Sequence, residues 1–369
     1  MALPKVLPGE TSSIELPSTP SKNGSGELWI TVTFQQKFST AWADAGHELA
    51  WMQQQISKPN VDSISRVSPT NTSHLDVVSS RTEYKIAGSN FLFTFDAARG
   101  SLSQWNFTSA ATLKSTKIPI SSITPGFWRA PTDNDMPSDF PYYKRFGLDA
   151  LTSQLRSFDV KTDDDLVTLT AVTFISPPIL NWGFEATTTY QISSTGSLKI
   201  KVNLKPTGSM PSNLPRVGLD IKLRDDLDNA EWFGIGPGES YADKCSSQKL
   251  GIYSADVDTL HTPYDVPQEN GNRMKTRWVN MTDSSGVGVR ASSSENSATF
   301  QWAATRYSPT TLQKARHPRD LVKEKEVLWR LDAEAAGVGS AACGPGVKEE
   351  FQVKCEEKEF AFVFEKIGI

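Results

Sequence analysis

The chain has 369 residues, with 38 Lys and Arg against 42 Asp and Glu, a formal net charge of −4 and a pI near 5.7. That mildly acidic balance excludes the basic surface that nucleic acid or an anionic membrane demands. No apolar run approaches the roughly 20 residues needed to span a bilayer, while 38% hydrophobic residues, with ten Trp and eighteen Phe, suffice for a large core.

The N-terminus, Met1-Ala2-Leu3-Pro4-Lys5-Val6-Leu7-Pro8, lacks the apolar core of a signal peptide. Three cysteines, Cys245, Cys343 and Cys355, are odd in number and have no metal-ligand spacing. Reduced thiols and a cytoplasmic location are the expectation. Pro4, Pro8, Pro17 and Pro20 flank an alternating run at 11–16 that predicts an edge strand. Residues 28–34, Leu-Trp-Ile-Thr-Val-Thr-Phe, form a clear strand pattern. Residues 40–43 and 48–55 predict two more strands, joined by a turn through Gly46 and His47. The Ser, Asn, Thr and Pro-rich stretch 58–80 reads as a linker.

Beyond it, strand patterns recur at 84–86, 91–95 and 102–105, the last two around an Asp96 to Gly100 turn. Residues 140–155 predict the one helix, on loosely spaced Tyr143, Phe146 and Leu151. Strands follow at 167–174, 182–192, 198–204 and 214–223. In 198–204 apolar and polar residues alternate strictly, which a sheet face against solvent explains. Gly234-Ile235-Gly236 imitates a nucleotide loop, but no helix or βαβ unit surrounds it, so dinucleotide binding is rejected. The whole reads as all-β, without βα alternation.

One polar stretch interrupts this pattern. Phe127-Trp128-Arg129-Ala130-Pro131-Thr132-Asp133-Asn134-Asp135 is a strand end that delivers an arginine and three Asx residues to one place. Arg129 can fork onto Asp133 or Asp135, as a loop-pinning network or as a ligand site. Downstream come Gly236-Pro237-Gly238-Glu239-Ser240-Tyr241 with Asp243 and Lys244, then Tyr264-Asp265-Val266-Pro267-Gln268-Glu269-Asn270-Gly271, then Phe300-Gln301-Trp302 and a glycine-rich run at 337–347.

In this order these motifs resemble the β-galactosidases of glycoside hydrolase family 2, from about residue 20 to the C-terminus. The resemblance implies the second half of an immunoglobulin-like β-sandwich at 1–57, a linker at 58–80, and a terminal β-supersandwich similar to galactose mutarotases at 81–369. The sandwich's first strands are expected before Met1. Retaining glycosidases need two carboxylates about 5 Å apart. In the family both are glutamates on a TIM barrel, for which this sequence shows no eight-fold βα pattern. No catalytic residue is therefore assigned here, and no cofactor or metal ligand, the family's magnesium and sodium sites being expected mainly on the barrel. The chain is expected to be inactive by itself and to give scaffold, oligomer contacts and active-site closure to an enzyme acting on β-galactosides such as lactose. Its partners would be a galactoside or galactose, the rest of the enzyme chain, and further copies in a homo-oligomer.

The family also places a side chain from a C-terminal loop beside the sugar. Alignment of 337–347 puts Cys343 there, next to Gly344, where bacterial members carry tryptophan and fungal members resemble this chain. A cysteine cannot stack on a pyranose as an indole does. Arg129, Asp133, Asn134, Asp135, Glu239, Tyr241, Glu269 and Asn270 form a polar set of unassigned role. The alternative is a free-standing aldose 1-epimerase or sugar-binding module, with His261 or His317 paired to Glu239, Asp243 or Glu269 as base and acid.

Overall fold

The computed structural model describes residues 4–15, 26–58, 74–108, 115–118, 120, 122–163, 165–294 and 298–368. It separates into two units, Met1–Arg66 and Val67–Ile369.

In the first unit, strands Leu28–Gln35 and Glu48–Ser57 pair antiparallel, with Val32 opposite Met52. The strand expected at 40–43 is instead part of the connection: the Thr40 N–H donates to the Ala43 carbonyl at 2.8 Å and bends the chain. No strand forms at 11–15, which pairs with no strand among the described residues; Leu16 lies outside them. The hairpin leaves Phe34, Leu49, Met52 and Ile56 exposed.

The second unit is built on a nine-stranded and a five-stranded antiparallel sheet. The larger runs Lys249–Asp256, Asn229–Gly236, Trp278–Thr282, Gly288–Ser293, Lys358–Ile367, Leu198–Gly208, Trp182–Ser193, Leu166–Ser176, Thr152–Asp163. The smaller runs Arg273–Thr276, Phe300–Thr305, Val327–Ala335, Arg216–Leu223, Ser122–Gly126. A five-stranded meander from Asp76–Ser79 to Ser115–Ile118 opens the unit. Its first strand lies in the stretch expected as linker, because Val77 and Val78 pair with Ile86 and Lys85.

The alternation at 198–204 does what it predicts. Leu198, Ile200, Val202 and Leu204 are fully buried while Lys199 and Lys201 turn away. Facing sheets are joined by aromatic pairs: Trp232 on Trp302 at 5.3 Å, Trp329 on Phe364 at 6.1 Å, Phe300 on Phe362 at 5.4 Å. The meander joins the same core through Phe95 on Tyr190 at 5.1 Å. Burying each such side chain contributes on the order of 2 kcal/mol, and each ring pair up to about 1 kcal/mol more.

The helix expected at 140–155 is cut to Asp139–Arg145. Gly147 takes a left-handed φ of 63° that ends it. Leu148–Ala150 make a 3-10 turn, and Thr152–Asp163 is the edge strand of the large sheet. A second short helix, Pro309–Lys314, was not expected; Ser308 caps it through the Thr311 N–H.

Candidate functional site

The strand Ser122–Gly126 delivers the chain into Phe127 and Trp128. Phe127 stacks on Phe184 at 4.7 Å and fixes the entry of the polar stretch. Arg129 then forks onto Asp135, Nη1 to Oδ2 at 2.8 Å and Nη2 to Oδ1 at 3.1 Å, both side chains being buried. Asp133, the other candidate, instead faces Gln268, whose Nε2 donates to Asp133 Oδ2 at 3.1 Å. Asp135 also accepts the Thr132 N–H at 2.7 Å, which closes the 132–135 turn. Burial works against the charge of Arg129, but Asp135 and Glu269 more than offset it and hold its pKa above the usual value.

A second knot surrounds Glu239. Its carboxylate accepts from Lys244 Nζ at 2.6 Å, Thr262 Oγ1 at 3.0 Å, the Gly271 N–H at 2.9 Å and the Tyr264 hydroxyl. Burial pushes the carboxyl up, and these donors outweigh it, so its pKa falls below the ordinary value. Glu269 is buried and forked by Arg330, with Nη1 to Oε2 at 3.1 Å, while the Tyr241 hydroxyl donates to it at 3.4 Å. Burial first, then the nearby Glu269 and Glu239 charges, keep the Tyr241 phenol protonated. Asn270 accepts the Thr262 N–H at 2.9 Å and donates to the Gln268 carbonyl at 2.9 Å.

The first knot reaches the glycine-rich run at 337–347 directly, and Asp243, between Glu239 and Lys244 in sequence, ties the second to it. Asp243 accepts the N–H groups of Val338 at 2.9 Å and Gly339 at 2.7 Å. Arg129 Nη2 reaches the Gly337 carbonyl at 3.4 Å. Asn134 donates to the Gly339 carbonyl at 2.9 Å and accepts the Ala342 N–H at 3.1 Å. A Cβ on Gly337 would stand 2.5 Å from the Asp243 carboxylate, so this close approach requires glycine. The clamped run carries Cys343 and Gly344 exposed on its turn, where Ser340 closes onto the Pro345 carbonyl at 3.0 Å.

The structure thus brings Arg129, Asn134, Asp135, Glu239, Tyr241, Glu269 and Asn270 into the loop-bearing region, with Asp133 at its margin. Of the epimerase candidates, His261 is half-buried against the Tyr307 ring at 4.9 Å, and burial lowers its pKa. His317 is exposed and its N–H donates to Asp320. Sequence reasoning missed Arg330 as the partner of Glu269. It also missed Arg216, buried against Asp332 at 2.7 Å and Asp220 at 2.8 Å. The available signal was an arginine among core-facing residues of an apolar strand, which requires a buried carboxylate.

The fold is a large all-β assembly of antiparallel sheets, and its distinctive feature is this clamped loop. The family described as Beta galactosidase small chain matches residues 87–364, and the one described as Beta-galactosidase, domain 4 matches residues 1–57. The chain belongs to the β-galactosidase family and corresponds to a C-terminal part of such a protein. It is 32% identical to a β-galactosidase of the yeast Kluyveromyces lactis, over 86% of this chain and 30% of that one. It is 27% identical to a β-galactosidase of Priestia megaterium, over 92% of this chain and 31% of that one. The chain therefore spans about a third of the length of these relatives. Among solved structures, a galactose 1-epimerase from Lactobacillus acidophilus aligns with a TM-score of 0.40 at 7% identity, covering 80% of this chain and 99% of that one.

Proposed function

We propose that this chain is the supporting C-terminal region of an enzyme that hydrolyses terminal β-D-galactosides such as lactose with retention. Its role is to hold the 337–347 loop at the active-site mouth, with Cys343 and Gly344 beside the sugar. The catalytic glutamates and the magnesium and sodium sites then belong mainly to a barrel on the rest of the enzyme, a cytoplasmic homo-oligomer. The observation that carries this reading is the triple clamp of Asn134, Asp243 and Arg129 on one glycine-rich backbone. The carboxylates of the network support it. Asp135, Glu239 and Glu269 are each ion-paired, and both oxygens of Asp243 accept loop N–H groups, so they are engaged in structure. The same engagement disfavours epimerase chemistry, which needs a carboxylate free to exchange a proton.

The test is hydrolysis of a chromogenic β-galactoside by the purified chain, with galactose mutarotation measured on the same sample. Silence in both is expected. Cleavage would overturn the supporting role, and fast mutarotation would establish the epimerase alternative. In the intact enzyme, Cys343→Trp should change KM for the galactoside, because an indole offers a stacking face that a thiol lacks.

A further inference from the structure

A cavity of about 500 Å³ lies away from the loop just described, between the opening meander, the large sheet and the strand Ser122–Gly126. That volume falls in the range of small-molecule sites, roughly 300–1,000 Å³. Thr188 and Tyr190 line it from successive inward positions of one strand, Trp182–Ser193, so both side chains point to the same face. Both residues are buried, at 5% and 2% exposure. Neither hydroxyl makes a hydrogen bond to another described residue, and both face the cavity. Burial keeps the Tyr190 phenol protonated, so it can donate as well as accept.

The rim narrows the ligand class. Asp149 and Asp220 line the cavity, but Lys144 and Arg216 already pair with them. Arg99 lines it too, paired with Asp96, so neither a cation nor an anion meets an uncompensated charge there. An apolar ligand would leave both hydroxyls without a partner. A neutral molecule with several hydroxyls satisfies them, and Trp128 adds an aromatic wall. Asp220, 48% exposed, leaves that end open to solvent.

We propose that this cavity binds a neutral polyol of monosaccharide size, with the Thr188 and Tyr190 hydroxyls as its recognition floor. The proposal does not depend on the role of the 337–347 loop.

The experiment is calorimetric titration of the full chain with D-galactose and, separately, D-glucose, on the unaltered protein and on Tyr190→Phe, Thr188→Val and Cys343→Ser. Saturable binding of at least one hexose is expected. Tyr190→Phe and Thr188→Val should each weaken it about five- to tenfold, the loss of one hydrogen bond in a desolvated site. Cys343→Ser should leave it unchanged. The unliganded melting temperature of the first two variants should stay level or rise, since each removes a hydroxyl without a protein partner. No saturable binding would overturn the proposal, as would binding that only Cys343→Ser weakens. Unfolding of both cavity variants would overturn it too, because it would show that these hydroxyls are structural.

Discussion

The Asn134 side chain holds the Gly339 main chain across 205 residues of sequence, Nδ2 to carbonyl at 2.9 Å, and its Oδ1 takes the Ala342 N–H at 3.1 Å. An amide carries a donor and an acceptor on separate atoms, so it can donate to one loop residue and accept from another at once. Asn134→Ala removes both bonds and leaves the Ala342 N–H to water. A loss of about 1–2 kcal/mol in stability is expected. The larger effect should be local, with amide exchange at Ala342 rising well before global unfolding. Asn134→Asp keeps the acceptor and loses the donor, so it should protect Ala342 while releasing Gly339. Equal exchange in all three proteins would show that Asn134 does not order the loop.

The Arg129–Asp135 pair makes a different prediction, because both partners are buried. Removing one leaves the other charge uncompensated, which costs about 3–5 kcal/mol. Arg129→Met should therefore destabilise strongly in a denaturant melt. Pairing it with Asp135→Leu should recover much of the loss, since the double variant buries no lone charge. The Asp135 oxygen that closes the 132–135 turn is lost as well, so recovery should stop short of the original stability. A double variant worse than the sum of the singles would contradict this account.

Much of the fold was legible because most strands are two-sided and keep their period. The run 198–204 is fully buried on one face and paired on both edges, so its alternation is unbroken. The strand Thr152–Asp163 was not legible, and the register shows why. Val172 pairs with Ser157 and Thr173 with Leu155, so Arg156 is an extra residue in a bulge. The bulge brings Leu155 and Phe158 to the core at a spacing of three, which breaks the strand's period of two, while the helix expected from Phe140 rested on Tyr143, Phe146 and Leu151. At the site, the local Arg129–Asp135 fork could be read from spacing. Asn134 on Gly339, Asp243 on Val338 and Arg330 on Glu269 could not, because long-range pairing fixes them and no local pattern encodes it.

Glu239 sets a pH dependence whose sign is fixed. Its folded-state pKa is lowered, burial being outweighed by the Lys244, Tyr264 and Gly271 donors. A depressed carboxylate gives stability that is fully present above the unfolded value of 4.5 and lost as pH falls through the folded one. Lys244, raised by the same pair once burial is overcome, stays charged throughout this window. The melting temperature should therefore fall below about pH 4.5. Glu239→Gln should lower it at neutral pH and flatten that acid limb. An acid limb unchanged by Glu239→Gln would assign the loss to other carboxylates.

Among the described residues the first unit has two strands, and their hairpin exposes Phe34, Leu49, Met52 and Ile56. An isolated two-stranded hairpin is marginal in water, and its open backbone edges and apolar side chains invite pairing with another chain. The purified chain should therefore self-associate as concentration rises, seen as a growing weight-average mass in sedimentation. Leu49→Ser with Met52→Ser should reduce that association while the melting transition of the second unit stays in place, because the contacts that hold that unit together lie in its own core. Association undiminished by the double change would move the contact surface to the second unit, where Ile179, Leu180 and Met210 stand exposed.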